Sequence, residues 1–168
     1  TRNIARSHHK ICNGQWTSDF YNSGFTSTLK NMTVGIIGLG NIGALLARKL
    51  HALGVKLLGY DAFLPEATIR QLPVAFVDSM EDVFRQADIV SLHLRLTSEN
   101  RGIIGYELMS LMKPTAYLVN ASRAGLIDES ALIHVLANHK IAGAALDVFK
   151  HEHLSEGHPS LSLANITL

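Results

Sequence analysis

Short apolar runs alternate with amphipathic stretches along the chain from Met32 onward. The runs lack apolar–polar alternation, which is typical of strands buried on both faces of a parallel sheet. The predicted strands are 33–37, 55–60, 74–77, 89–93, 116–120, 141–147 and 165–168. The predicted helices are 41–52, 65–72, 79–86, 106–112 and 128–138, the last capped by Asp128. Repeated strand–helix units predict an α/β domain with a doubly wound parallel sheet.

Residues 1–31 differ in composition from the rest of the chain. Ser, Thr, Asn and Gly crowd this segment, which also carries the aromatic residues Trp16, Phe20, Tyr21 and Phe25. Such a segment is typical of an arm lying on another surface, although Trp16 packing on its own domain is an equal alternative. We therefore predict an arm, 1–31, and a domain, 32–168. Because the chain begins with Thr, we expect it to be part of a longer protein.

The overall composition is that of a globular domain. The 168 residues are 47% hydrophobic and 17% charged, with a net charge of +1, which gives no electrostatic reason to expect nucleic acid or an anionic membrane as a partner. The longest apolar runs fall far short of the roughly 18 residues that span a bilayer. The single cysteine, Cys12, excludes an internal disulfide and fits a reducing compartment, so we expect a cytoplasmic protein.

A glycine-rich turn joins the first predicted strand to the first predicted helix. Gly38, Gly40 and Gly43 have the spacing G-x-G-x-x-G, in which the first glycine allows a tight turn, the second admits a diphosphate and the third lets helix and strand pack closely. The amides at the helix start, at Asn41 and Ile42, would then bind the phosphates. The alternative is a glycine-rich turn without a ligand.

Asp61 stands at the end of the second predicted strand, eighteen residues after Gly43. A carboxylate at this place accepts hydrogen bonds from the adenosine ribose hydroxyls of a dinucleotide and repels a 2′-phosphate. The sequence therefore predicts NAD rather than NADP as the cofactor, with a surface aspartate as the alternative.

Several ordered motifs follow in the second half of the chain. They are Ala-Asp-Ile-Val-Ser-Leu-His-Leu at 87–94, Leu-Met-Lys-Pro-Thr-Ala-Tyr-Leu-Val-Asn-Ala-Ser-Arg at 111–123, Gly-Leu-Ile-Asp at 125–128 and Ala-Gly-Ala-Ala-Leu-Asp-Val-Phe at 142–149. Together they resemble the nicotinamide-binding domain of the D-isomer-specific 2-hydroxyacid dehydrogenases, from about residue 14 to 168. The resemblance implies a Rossmann-type domain that binds NAD, and a 2-hydroxy acid substrate bound between this domain and a second one built from other parts of the chain.

The resemblance also assigns roles to individual residues. Arg123 matches the arginine that grips the substrate carboxylate with two donors, and Ala121 and Ser122 lie beside it at the cofactor. Asp147 matches the aspartate that binds the nicotinamide carboxamide. The alternatives are a structural ion pair for Arg123 and a turn cap for Asp147.

Glu152 matches the glutamate that pairs with a catalytic histidine and raises the pKa of its imidazole. In the family that histidine follows the last strand, and these 168 residues end before the motif. We therefore expect this chain alone to bind NAD weakly and to catalyse no turnover.

None of the histidines near Glu152 occupies the family's catalytic position. His151, His153 and His158 lie close to Glu152 and Glu156, but their spacing matches no helical metal site, so we predict a solvated loop and no metal. His93, at a strand end, either lines the cofactor crevice or is a core histidine satisfied by backbone.

Some positions depart from the family pattern. Arg95 and Asn100 replace a common proline and threonine, so the loop that holds them is expected to differ. Ala124 replaces a glycine after Arg123, where a Cβ would restrict the backbone. His153 replaces a proline.

The resemblance implies a homodimer and leaves a second function open. Dehydrogenase-like transcriptional corepressors share these motifs and use NAD to control dimerisation. Binding of a peptide that depends on NADH, without oxidation of any 2-hydroxy acid, would favour the corepressor.

Overall fold

The computed structural model describes residues 8, 10–15, 28–150 and 154–168. One sheet of seven parallel strands runs through the domain in the order β3-β2-β1-β4-β5-β6-β7. The strands are β1 Thr33–Ile37, β2 Lys56–Tyr60, β3 Ala75–Phe76, β4 Ile89–Leu92, β5 Tyr117–Asn120, β6 Gly143–Leu146 and β7 Ile166–Thr167. The doubly wound α/β fold predicted from the sequence is confirmed, and the order of strands reverses between β1 and β4.

Between residues 28 and 150, five α-helices connect the strands of the sheet. They are α1 Asn41–Ala52, α2 Glu66–Ile69, α3 Met80–Gln86, α4 Tyr106–Ser110 and α5 Glu129–Ala137. Short 3-10 helices at Leu29–Asn31, Ala124–Leu126 and Pro159–Ser162 were not predicted. Among the described residues no helix is long and apolar enough to cross a membrane.

The hydrophobic core has two parts, one on each face of the sheet. Apolar side chains of α3, α4 and α5, including Phe84, Met109 and Leu136, form the larger cluster. The smaller cluster includes Ala47 of α1 and Ile36 of β1. Because β1 contributes side chains to both clusters, both of its faces are buried. This is why its apolar residues do not alternate with polar ones.

Most predicted elements are present with shorter ends. Both β1 and α1 have the predicted bounds, whereas the helix predicted over 65–72 is only the single turn α2, with Pro65 as its N-cap. The strand predicted over 74–77 is only two residues long in the structure, as β3. It lies at the edge of the sheet, where it pairs with β2 alone. Asp128 caps α5 by accepting hydrogen bonds from the amides of Ser130 and Ala131, as predicted.

The predicted arm lies largely outside the described residues, as do Trp16, Phe20, Tyr21 and Phe25. Its placement on another surface stays a prediction.

Candidate functional site

The strands from β2 to β6 end in register at the carboxyl edge of the sheet. Their last residues are paired across neighbouring strands: Tyr60, Ile37, Leu92, Asn120 and Leu146. The residues that come directly after them are Asp61, Gly38, His93, Ala121 and Asp147. Each of these strands therefore brings one residue of the predicted site to the same edge, where ligands of open α/β sheets bind.

Gly38 needs to be glycine for two reasons. Its φ of +90° lies in the left-handed region, and a Cβ would come within 2.9 Å of the backbone carbonyl group of His93. Its N–H donates to the carbonyl of Tyr60 at 2.9 Å. The turn therefore lies against the ends of both neighbouring strands.

The other two glycines have different surroundings. A Cβ on Gly43 would overlap the carbonyl oxygen of Gly38, so the close approach of α1 requires glycine there. A Cβ on Gly40 would meet no described atom within 4 Å. Within the described residues no side chain caps α1, and Asn41 and Ile42 at its start are exposed. The first-turn amides are thus left for an anion to bind.

Asp61 is bound to the glycine turn itself. Its Oδ2 accepts a hydrogen bond from the N–H of Leu39 at 2.7 Å, and its Oδ1 accepts one from the N–H of Phe63 at 2.9 Å. A carboxylate offers about four acceptor positions, so positions remain for hydroxyl donors. The hydrogen bond between Asp61 and Leu39 was not predicted from the sequence, and it joins the glycine turn to a residue 22 positions away.

His93 is half-buried at the end of β4, and its partner is a side chain rather than backbone. Its Nε2 shares a hydrogen bond with the hydroxyl of Ser91 at 2.9 Å. Burial lowers the pKa of His93 below the ordinary 6.5. The imidazole is therefore neutral at neutral pH. The backbone of His93 lies beside the start of the glycine turn, since its N–H donates to the carbonyl of Ile37 at 2.8 Å.

Arg123 and Asp147 are exposed beyond the ends of the adjacent strands β5 and β6. The guanidinium of Arg123 donates through Nη1 to the carbonyl of Ser122 at 2.7 Å. The N–H of Asp147 donates to the carbonyl of Asn120 at 3.0 Å. The buried side chain of Asn120 also donates to the carbonyl of Arg123, and this residue was not predicted to belong to the site.

The backbone at Ala124 is not disturbed by its Cβ, contrary to the expectation from sequence. Ala124 begins a 3-10 helix for which Arg123 is the N-cap. The only described non-glycine residue with a positive φ is His139, so position 124 does not need glycine.

The loop after β4 is closed by Asn100. Its Oδ1 accepts from the N–H of Thr97 at 2.8 Å, and its Nδ2 donates to the carbonyl of Arg95 at 2.7 Å. The asparagine that departs from the family pattern thus holds the loop's own backbone.

Glu152, His151 and His153 lie outside the described residues. The expectation of a solvated loop is wrong for His158, whose side chain is 19% exposed and whose Nε2 lies 3.3 Å from Oε1 of Glu129. Lys150 contacts Oε2 of the same carboxylate at 3.3 Å. No cluster of three metal-ligating side chains occurs in the described part of the chain.

Comparison with known proteins decides the family. Residues 1–168 match the family described as D-isomer specific 2-hydroxyacid dehydrogenase, NAD binding domain. The chain belongs to this family. It is therefore the NAD-binding domain of a D-2-hydroxyacid dehydrogenase family protein, as the motifs indicated.

Three relatives show the range of the similarity. The chain is 38% identical over 165 residues to the D-3-phosphoglycerate dehydrogenase of Methanocaldococcus jannaschii, covering 98% of this chain and 31% of that protein. A D-isomer specific 2-hydroxyacid dehydrogenase from Lactobacillus delbrueckii ssp. bulgaricus, solved with NAD, superposes with a TM-score of 0.82 at 30% identity over 99% of this chain and 53% of that one. The acyclic imino acid reductase Bsp5, solved with NADPH and D-Arg, gives 0.84 at 31% identity over 99% and 51%. The chain thus spans from 31% to 53% of the length of these proteins.

Proposed function

We propose that the protein carrying this domain transfers hydride between NAD and a small D-2-hydroxy acid, interconverting it with the 2-oxo acid. The proposal rests on one observation. The ends of β2, β1, β5 and β6 bring Asp61, the glycine turn, Arg123 and Asp147 to one edge of the sheet, on both sides of the point between β1 and β4 where the strand order reverses.

The residues at this edge fit a dinucleotide. The open space at Gly40 and the uncapped amides at Asn41 and Ile42 suit a diphosphate, because exposed N–H groups and the helix dipole both favour an anion. The remaining acceptor positions of Asp61 suit ribose hydroxyls. When bound, NAD supplies a nicotinamide ring that accepts or donates hydride.

Asp61 also favours NAD over NADP. Its carboxylate is held in place by the amides of Leu39 and Phe63, so it cannot easily turn away from a 2′-phosphate. Since like charges repel, a phosphate on that hydroxyl would be rejected. We expect NADH to bind more tightly than NADPH, and the Asp61→Ala variant to lose most of this preference.

Arg123 would bind and orient the substrate. Its planar guanidinium is exposed at the edge of the site, where two donors can engage a carboxylate and polarise the adjacent 2-oxo group. Asp147 on the neighbouring strand would accept from the nicotinamide carboxamide and so fix the ring face. The resemblance assigns proton transfer to a histidine outside these 168 residues, supported by Glu152.

Titration of this chain with NADH tests the proposal. Loss of charge-assisted hydrogen bonds to the ribose should raise the dissociation constant for Asp61→Ala by about tenfold or more. The matched control is Glu107→Gln, which removes an exposed carboxylate of α4 and should leave binding unchanged. Equal binding by the wild type and Asp61→Ala would remove Asp61 from the site, and no binding by the wild type would refute the assignment of the edge.

We further propose that the protein forms a homodimer through α1. Ile42, Leu45 and Leu53 are 72%, 53% and 63% exposed, respectively, and lie three and then eight residues apart, which places them along one side of the helix. Light scattering should give twice the chain mass, and Leu45→Glu should shift the protein to monomer. A monomeric wild type would refute this interface.

A further inference from the structure

A fully buried asparagine closes the turn that carries Arg123. Asn120, the last residue of β5, is 1% exposed. Its Nδ2 donates to the backbone carbonyl of Arg123 at 3.0 Å. Its Oδ1 accepts from the N–H of Ser122 at 3.1 Å and from the hydroxyl of Ser122 at 3.0 Å. One side chain therefore binds the turn at both ends.

The backbone of Asn120 has a separate partner. Its carbonyl accepts from the N–H of Asp147, and Asn120 itself pairs with Leu146 of β6. This link uses main-chain atoms alone, so it does not depend on the side chain. A substitution at position 120 should thus disturb the Arg123 turn while leaving the connection to Asp147 in place.

We propose that the side chain of Asn120 is a positioning residue that holds Arg123 in place for the substrate carboxylate. This inference rests on the proposed function. The Arg123 side chain is exposed, and within the described residues its one hydrogen bond is to the carbonyl of Ser122, inside the same turn. Since little else holds the guanidinium, the path of the turn sets its position.

The position of Arg123 matters for the rate of the proposed reaction as well as for stability. Displacement of a substrate-binding group by about 1 Å can lower the rate about a hundredfold. The carbonyl of Arg123 also accepts one backbone hydrogen bond, from the N–H of Leu126 at 3.3 Å. The three bonds from the Asn120 side chain are shorter and add to it.

The test compares Asn120→Ala with a matched control, Asn165→Ala, in the protein at its natural length. Asn165 also donates to a backbone carbonyl, that of Leu136, at 3.1 Å, but it precedes β7 at the opposite edge of the sheet. Steady-state rates are measured with NADH and the 2-oxo acids glyoxylate, pyruvate and hydroxypyruvate, and the dissociation constant of NADH is measured separately.

For Asn120→Ala we expect the KM of the 2-oxo acid to rise about tenfold or more and kcat to fall, because the guanidinium loses its orientation. The NADH dissociation constant should change by less than about threefold, since the glycine turn and Asp61, which are proposed to hold the diphosphate and ribose, are not touched. Asn165→Ala should lower thermal stability without changing KM. If Asn120→Ala does not fold, Asn120→Ser takes its place, because its hydroxyl can still serve the Ser122 amide but cannot reach the Arg123 carbonyl.

A double variant separates positioning from general damage. If Asn120 acts through Arg123, its substitution should add little to the loss already caused by Arg123→Ala, measured as binding of oxamate to the NADH complex. Full additivity of the two losses, or an unchanged KM in an active Asn120 variant, would overturn the inference alone. A wild type that reduces none of the oxo acids would instead overturn the proposed function.

Discussion

Replacing Gly43 with alanine should destabilise the fold through a single contact. The new Cβ would overlap the carbonyl oxygen of Gly38 and lie 3.1 Å from its carbonyl carbon. Gly38 cannot easily move, because its N–H is bound to Tyr60. Overpacking of this kind costs about 3 kcal/mol. Alanine regains about 1 kcal/mol of helix propensity over glycine, so we expect a net loss of about 2 kcal/mol.

Gly40 supplies the matched comparison in the same turn. Its φ of −63° suits alanine, and a Cβ there meets no described atom within 4 Å. We expect Gly40→Ala to change stability by less than about 0.5 kcal/mol, typical of an exposed site. The methyl group would occupy the space proposed for the diphosphate, so NADH binding should weaken by about tenfold or more, the equivalent of about 1.4 kcal/mol.

Urea unfolding followed by circular dichroism measures the first effect, and fluorescence titration with NADH measures the second. The two variants should separate stability from binding: Gly43→Ala unfolds at lower urea, and Gly40→Ala unfolds like the wild type but binds poorly. A Gly43→Ala protein as stable as the wild type would show that the packing of α1 does not require glycine at position 43. Unchanged NADH binding by Gly40→Ala would show that the diphosphate does not occupy the space at Gly40.

Two further predictions concern charged side chains away from the cofactor edge. Burial raises the pKa of Asp88, but hydrogen bonds from Lys113 and the Thr33 amide, with the charge of Lys113, outweigh it and lower the pKa overall. The free energy that the charged Asp88 adds to folding is present above the unfolded pKa and is lost as pH falls through the folded pKa. Asp88→Asn should therefore lower the free energy of unfolding by about 1 kcal/mol at neutral pH and by little in strong acid. Urea midpoints that differ equally from the wild type at both pH values would contradict this. Glu129→Gln should cost about 0.5 kcal/mol and reduce the salt dependence of the urea midpoint, since it loses its ion pair with Lys150; an unaltered salt dependence would speak against this pair.

The parts of the fold that were predicted correctly are those with strong local signals. The uninterrupted apolar run of β1, the glycine spacing before α1 and the capping aspartate of α5 each act over a few neighbouring residues. The ends of short elements were less predictable. The helix that begins after Pro65 stops at Ile69, because single turns at the surface depend on tertiary packing more than on propensity.

The contacts missed in the site join residues that sequence patterns do not relate. Asp61 binds the amide of Leu39, and His158 pairs with Glu129, in each case across more than twenty positions. Asn120 was within a quoted motif, but its three hydrogen bonds depend on how the following turn folds back. A buried polar residue at a strand end was the available signal, since such a group must find partners.

A crystal structure of this chain grown with NAD would test the proposed cofactor site. We expect the diphosphate at the amides of Asn41 and Ile42, the adenosine ribose on Asp61, and the nicotinamide end between Arg123 and Asp147. Density for NAD at any other place, or a carboxyl edge that stays empty at saturating NAD, would contradict it.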